Sequence, residues 1–142
     1  MSAADLTWED AARILLPPKT IAVVGLSDKP ERESHEIASY LQGQGYRIIP
    51  VNPRIKETLG EKAYPSLRDV PERVDIVQIF RRSEDVPPIV DDAIAIGTSV
   101  VWMQTGIVNE EAAAKAEAAG LTVVMDACLR SAHRALRSAG RL

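Results

Sequence analysis

The sequence predicts an α/β protein: a doubly wound, open parallel sheet of about five strands with helices on both faces. Three observations carry this. Short apolar runs alternate with helical patterns along the chain, and strands separated by helices pair in parallel through right-handed crossovers. Aromatic residues are only 4% of the total, so the core is built from Ile, Val, Leu and Ala, the usual filling of strands covered on both faces. The 142 residues are enough for one real core and too few for two, so residues 1–142 read as a single domain.

The elements follow in order. Thr7-Trp8-Glu9-Asp10 places an acid three residues after a capping threonine, the pattern of a capping box. That helix runs through Ala11, Ala12, Ile14 and Leu15 and stops at Pro17-Pro18. The first strand is Thr20 to Val24. The second helix runs from about Ser34 to Gln44, with Ile37, Ala38 and Leu41 at helical spacing, and Gly43 and Gly45 end it. The second strand is Tyr46 to Val51. A loop from Asn52 to Val70 is broken by Pro53, Gly60 and Pro65, with a short helical turn at Ser66 to Asp69. The third strand is Val74 to Phe80. Ser83 caps the third helix, Pro87-Pro88 sits in its first turns where missing N–H donors cost least, and Gly97 closes it. The fourth strand is Ser99 to Met103. Asn109 caps the fourth helix, Glu110 and Glu111 sit at its positive end, and Gly120 follows it. The fifth strand is Leu121 to Met125, and a last helix runs from about Leu129 to Ala139.

Bulk properties exclude several classes. The formal net charge of -3 leaves no electrostatic footprint for nucleic acid. No apolar run reaches the length of a membrane span, and Met1 to Asp5 lacks the basic and apolar regions of a signal peptide. A cytoplasmic protein is expected. The one cysteine, Cys128, excludes an intramolecular disulfide framework. His35 and His133, the two histidines, have no partners at metal-ligand spacing, so no metal site is expected.

Open parallel sheets bind ligands beyond the carboxyl ends of their strands, where strand order reverses. Three loops there have the make-up of a nucleotide site. After the first strand, Gly25 can supply a tight turn, Ser27 and Ser34 offer hydroxyls, and Lys29 offers a positive charge. Backbone N–H groups and a helix N-terminus at such a turn suit a phosphate. The loop departs from the dinucleotide fingerprint, since Gly25 stands without the second and third glycines. A plain strand–helix loop with incidental polar residues is the alternative. After the second strand, an NAD site would hold an acid. This chain has Asn52, Pro53, Arg54 and then Lys56, which favours a ribose carrying a phosphate, as in NADP or coenzyme A. A solvated basic turn is the alternative. After the third strand, Phe80 could pack on adenine or a pantetheine arm, and Arg81 and Arg82 could grip phosphates. Pairing of those arginines with Glu84 and Asp85 is the competing outcome.

Taken together, these segments resemble the small single-domain coenzyme A-binding proteins. Those share a domain with the N-terminal part of the succinyl-coenzyme A synthetase α subunit. The residues that carry the resemblance are Val23-Val24-Gly25-Leu26-Ser27, Val51-Asn52-Pro53, Gly60 to Leu67, Asp75 to Arg82, Trp102-Met103-Gln104 and Val124 to Cys128. They fall in the same order between about Leu16 and His133. The resemblance implies a Rossmann-like domain that binds coenzyme A without a reaction of its own. It implies that Gly25, Leu26, Ser27, Lys29 and Ser34 hold the pyrophosphate region. Asn52, Pro53, Arg54 and Lys56 would then lie near the 3′-phosphate, and Phe80, Arg81, Val86 and Pro87 would flank the nucleotide. Met103, Gln104 and Thr105 would face the pantetheine arm. Many relatives carry an arginine after the residue matching Asp126 and a glutamate before the one matching His133, where this chain has Ala127 and Ala132.

No acid–base constellation emerges, so the expected function is binding of coenzyme A or an acyl-coenzyme A without catalysis. An NADP-dependent oxidoreductase and a subunit of an acyl-coenzyme A ligase are the alternatives. Cys128 stands near a helix N-terminus, a setting that favours thiolate. It could form a mixed disulfide with the coenzyme A thiol, or be a small core cysteine. The first and last helices are the candidate surfaces for a homodimer.

Overall fold

The computed structural model describes all 142 residues. Five strands form one parallel sheet: β1 (Thr20–Val24), β2 (Arg47–Val51), β5 (Ile76–Ile79), β6 (Val100–Met103) and β7 (Thr122–Val124). Their spatial order is β2-β1-β5-β6-β7. The order therefore reverses between β1 and β5, and every pairing in the sheet is parallel. Five α-helices complete the fold: α1 (Trp8–Leu15), α2 (Glu33–Gly43), α3 (Val86–Ile96), α4 (Glu110–Ala118) and α5 (Leu129–Ser138). None is long and apolar enough to cross a membrane.

Strand alternation sorts the core into two layers. Ile21, Val23, Ile48, Ile76, Val100, Trp102 and Val124 face a cluster completed by α1, α2 and α5. Their neighbours Ala22, Val24, Ile49, Val77, Ile79, Val101, Met103 and Val123 face the cluster under α3 and α4. Period-two alternation with both sides apolar is why the strands read as continuous hydrophobic runs. Trp102 is fully buried, and its Nε1 donates to the Ala127 carbonyl at 2.8 Å.

Caps set the helix ends. Thr7 and Asp10 close the expected capping box on α1, and Asn109 accepts from the Ala112 N–H at 2.9 Å to cap α4. Ser83 departs from expectation. A 3-10 turn, Ser83–Asp85, precedes α3, and no side chain caps that helix. The Ser83 hydroxyl instead accepts from the Val108 N–H at 3.0 Å, and its carbonyl accepts from Asn109 at 3.0 Å. It therefore binds the start of α3 to the segment before α4.

The loop after β2 also differs. It holds a small antiparallel ribbon, β3 (Glu57–Thr58) with β4 (Glu61–Lys62). Leu59 and Gly60 turn it with φ of 54° and 74°, and positive φ at both central positions is what the tightest hairpin turns demand. Leucine at the first of them hides the turn from a sequence reading. Beyond the ribbon, Tyr64 exchanges backbone bonds with Pro50 and Asn52, so the returning chain covers the edge of β2.

Candidate functional site

The carboxyl ends of β1 and β5 meet at the reversal of strand order. Gly25 leaves β1 with φ of 90°. Its N–H donates to the Val51 carbonyl at 2.8 Å, and the Phe80 N–H donates to the Val24 carbonyl at 2.8 Å. A Cβ at Gly25 would lie 2.4 Å from the Phe80 carbonyl oxygen and 3.3 Å from Arg81 Nε. Only glycine fits this corner, because both the φ and the space are closed to a side chain.

Polar side chains hold the loop that follows. Ser34, almost buried, accepts from the Ser27 N–H at 3.1 Å, and the Ser27 hydroxyl accepts from the Lys29 N–H at 3.0 Å. Asn52 donates to the Leu26 carbonyl at 3.1 Å and accepts from the Arg54 N–H at 2.9 Å. These groups build the rim: they fix the two loops against each other, and their polar atoms are already engaged.

Two clefts open at this rim. The polar one, about 610 Å³, is lined by Gly25, Ser27, Asp28, Lys29, Arg32, Glu33, Ser34, Asn52, Arg54, Ile55, Phe80 and Arg81. Four cationic side chains face two carboxylates there. The neighbouring cleft, about 400 Å³, is more apolar, with Val24, Val51, Pro53, Pro65, Leu67 and Ile89 in its wall. Arg54 and Arg81 border both clefts. Arg82 pairs with Glu84 at 3.1 Å and Asp85 at 3.0 Å, so of the two adjacent arginines the acids take Arg82. No ion pair engages Lys29, Arg32, Arg54, Lys56 or Arg81. Lys56 lies farther along, beside His35 and the ribbon.

The rim thus gathers Gly25, Ser27, Lys29, Ser34, Asn52, Pro53, Arg54, Phe80 and Arg81 from the expected set. Four others are placed differently. Leu26, Val86 and Met103 are fully buried core side chains, and Gln104 is 2% exposed. Apolar packing has taken the first three, so only their backbone could reach a ligand. Gln104 accepts from Gln78 at 3.2 Å and from the Leu129 N–H at 3.3 Å inside the protein. Thr105 and Pro87 are exposed but line neither cleft. Arg32, Ile55 and Pro65 were missed. Arg32 escapes notice because α2 starts without a capping side chain, with Arg32 itself in the capping position.

Cys128 occupies the N-cap position of α5 and is half-buried. Burial by itself pushes its thiol up. The Ser131 hydroxyl and N–H, the Gln104 amide and the Arg130 N–H outweigh that and hold the thiol below its ordinary value. Asp126, with φ of 53°, accepts from the Gly106 N–H at 2.7 Å and ties the loops after β6 and β7 together. His133 is buried between Tyr40, whose hydroxyl lies 2.7 Å from Nδ1, and the edge-on ring of Tyr46. Burial, with the nearby Arg137 charge, pushes its imidazole below the ordinary value. No group of metal-ligating side chains occurs.

Comparison with known proteins agrees with this architecture. The chain is 48% identical over 120 residues to protein YneT of Bacillus subtilis, covering 84% of this chain and 89% of YneT. A solved structure of a Pyrococcus horikoshii protein superposes with a TM-score of 0.91 at 40% identity, covering 96% of each chain. Acetate–CoA ligase (ADP-forming) II of Archaeoglobus fulgidus is 31% identical over 107 residues, which are 74% of this chain but only 16% of the ligase. The chain therefore matches a small part of that enzyme. A family model for the CoA binding domain matches residues 19–134, which span the whole sheet and both clefts, and the chain belongs to that family.

Proposed function

We propose that this protein binds coenzyme A or its thioesters across the two clefts, as a binding module and not as a dehydrogenase. The observation that carries the reading is the set of cations without acidic partners around Gly25, at the reversal of strand order in a CoA-binding domain. Lys29, Arg32 and the first N–H groups of α2, which starts in the wall of the polar cleft, are suited to a pyrophosphate, because cations and amide dipoles converge there. The apolar cleft between Val24, Pro65 and Ile89 suits an adenine ring. Arg54, on the boundary of the two, is then the group for the 3′-phosphate. The absence of a carboxylate at the end of β2, where Asn52 stands, argues against NAD.

Isothermal titration against coenzyme A, dephospho-coenzyme A, NADPH and NADH tests the proposal. Coenzyme A should bind in the micromolar range and more tightly than its dephospho form. Binding of NADPH but not coenzyme A would overturn the reading. The similarity to part of an ADP-forming ligase supports a second reading, a detached domain that works with separate ligase domains. Co-purification of such a partner would support it.

A further inference from the structure

A groove between α1 and α5 shares no lining residue with either cleft. It encloses about 250 Å³, and nine of its eleven lining residues are hydrophobic, among them Leu6, Trp8, Ala11, Ala132, Ala135 and Leu136. Trp8 is 44% exposed, one of three large apolar side chains that the fold leaves in water. Leu142 is another, and it follows Arg141, whose guanidinium lies 3.6 Å from the centre of the Trp8 ring. Tryptophan and arginine beside an apolar hollow are the residue types that dominate the centres of protein interfaces.

Charge indicates what covers this face. Residues 1–15 carry Asp5, Glu9 and Asp10 against Arg13 alone, and Asp10 already pairs with Arg13 at 3.1 Å. Residues 129–142 carry Arg130, Arg134, Arg137 and Arg141 and no acid. No ion pair in the chain uses Asp5, Glu9 or any of those four arginines. The α1 side of the groove is thus acidic, the α5 side is basic, and the two do not satisfy each other within one chain. Such a surface is complementary to itself. A two-fold axis through the groove sets α1 of one copy over α5 of the other and repeats the contact by symmetry. We propose that the groove is the interface of a symmetric dimer of this chain, with Trp8 of each copy covered at its centre and the acids of α1 facing the arginines of the other copy's α5. The two clefts at the strand ends take no part in it, so this inference stands apart from the proposed coenzyme A binding.

Sedimentation equilibrium of the full chain at high micromolar concentration is the test. In low salt the mass should approach twice the 15.5 kDa of one chain. Added salt should loosen the pair, because charges at an exposed rim are screened. Two variants reverse one side each: Asp5→Lys with Glu9→Lys, and Arg134→Glu with Arg141→Glu. All four positions are exposed, so both variants should keep the circular dichroism of the parent. Each alone should self-associate about tenfold more weakly or worse, since like charges then face each other. An equimolar mixture of the two should regain a dimer with one copy of each, seen by native mass spectrometry, because every positive side then meets a negative one. A parent chain that stays monomeric overturns the inference. A dimer that both variants keep at the parent's strength overturns it as well, since it would lie on another surface. So does a mixture that fails to pair when each variant alone is monomeric. None of these outcomes depends on whether coenzyme A binds.

Discussion

At Gly25 the fold and the proposed function make the same demand. A methyl group there would collide with the Phe80 carbonyl and press on Arg81, and the left-handed φ adds its own strain. Gly25→Ala should therefore destabilise the protein by roughly 2 kcal/mol or more, read from urea unfolding. Arg54 offers a test free of that coupling, because its side chain is exposed and makes no ion pair. Arg54→Ala should weaken coenzyme A by about tenfold, from the loss of one charge-assisted contact, and dephospho-coenzyme A much less. Equal weakening of both ligands would place the 3′-phosphate elsewhere. Gly25, Arg54 and Arg81 were all visible in the sequence, because glycine and unmatched cations after strands carry a recognisable chemistry. Val86 and Met103 were not separable from surface positions. Val86 directly follows Asp85 of the cleft wall and Met103 is the last residue of β6, and burial of both depends on the three-dimensional neighbours that α3 and α4 bring.

Among the elements, those with strong local chemistry were legible and those fixed by distant partners were not. The capping box of α1 and the Asn109 cap of α4 follow from residues three apart. The β3–β4 ribbon was not legible, since its turn uses Leu59 at a positive φ instead of asparagine or glycine. Ser83 misled for a related reason: its hydroxyl is a good cap, but Val108, 25 residues away, claims it. Asn109 should be the sharper site for mutation, because it caps α4 and also grips the Ser83 carbonyl. Asn109→Ala should cost about 1–2 kcal/mol, and Thr7→Ala about 1 kcal/mol, both measurable as shifts in chemical unfolding. If Asn109→Ala proves no more costly than a typical surface change, the bond to Ser83 contributes nothing to the docking of α3.

The molecule as a whole answers to pH through His133. Its imidazole is depressed in the folded chain, so the unfolded chain takes up the proton first as pH falls. Stability contributed by the neutral, Tyr40-bound ring is complete above the ordinary value of about 6.5 and declines as pH drops toward the depressed native value. His133→Gln keeps a partner for Tyr40 but cannot titrate. Its melting temperature should fall less than that of the parent over the same acidification, and parallel decline would remove His133 from the account. The α/β class and the helices on both faces of the sheet were readable because apolar periodicity is a whole-chain property, whereas the order β2-β1-β5-β6-β7 was not, since pairing partners are set in space. The division of the rim into a polar and an apolar cleft was not, since it requires the chain after β2 to return past Tyr64 and bring Pro65 and Leu67 beside β1.

The bonds between Asn52 and Leu26, Asn52 and Arg54, and Ser27 and Ser34 use groups of the protein alone. A cradle already set in shape has little freedom left to surrender when something settles into it. Capture should then proceed in a single fast phase limited by encounter, with release alone distinguishing a tight occupant from a loose one.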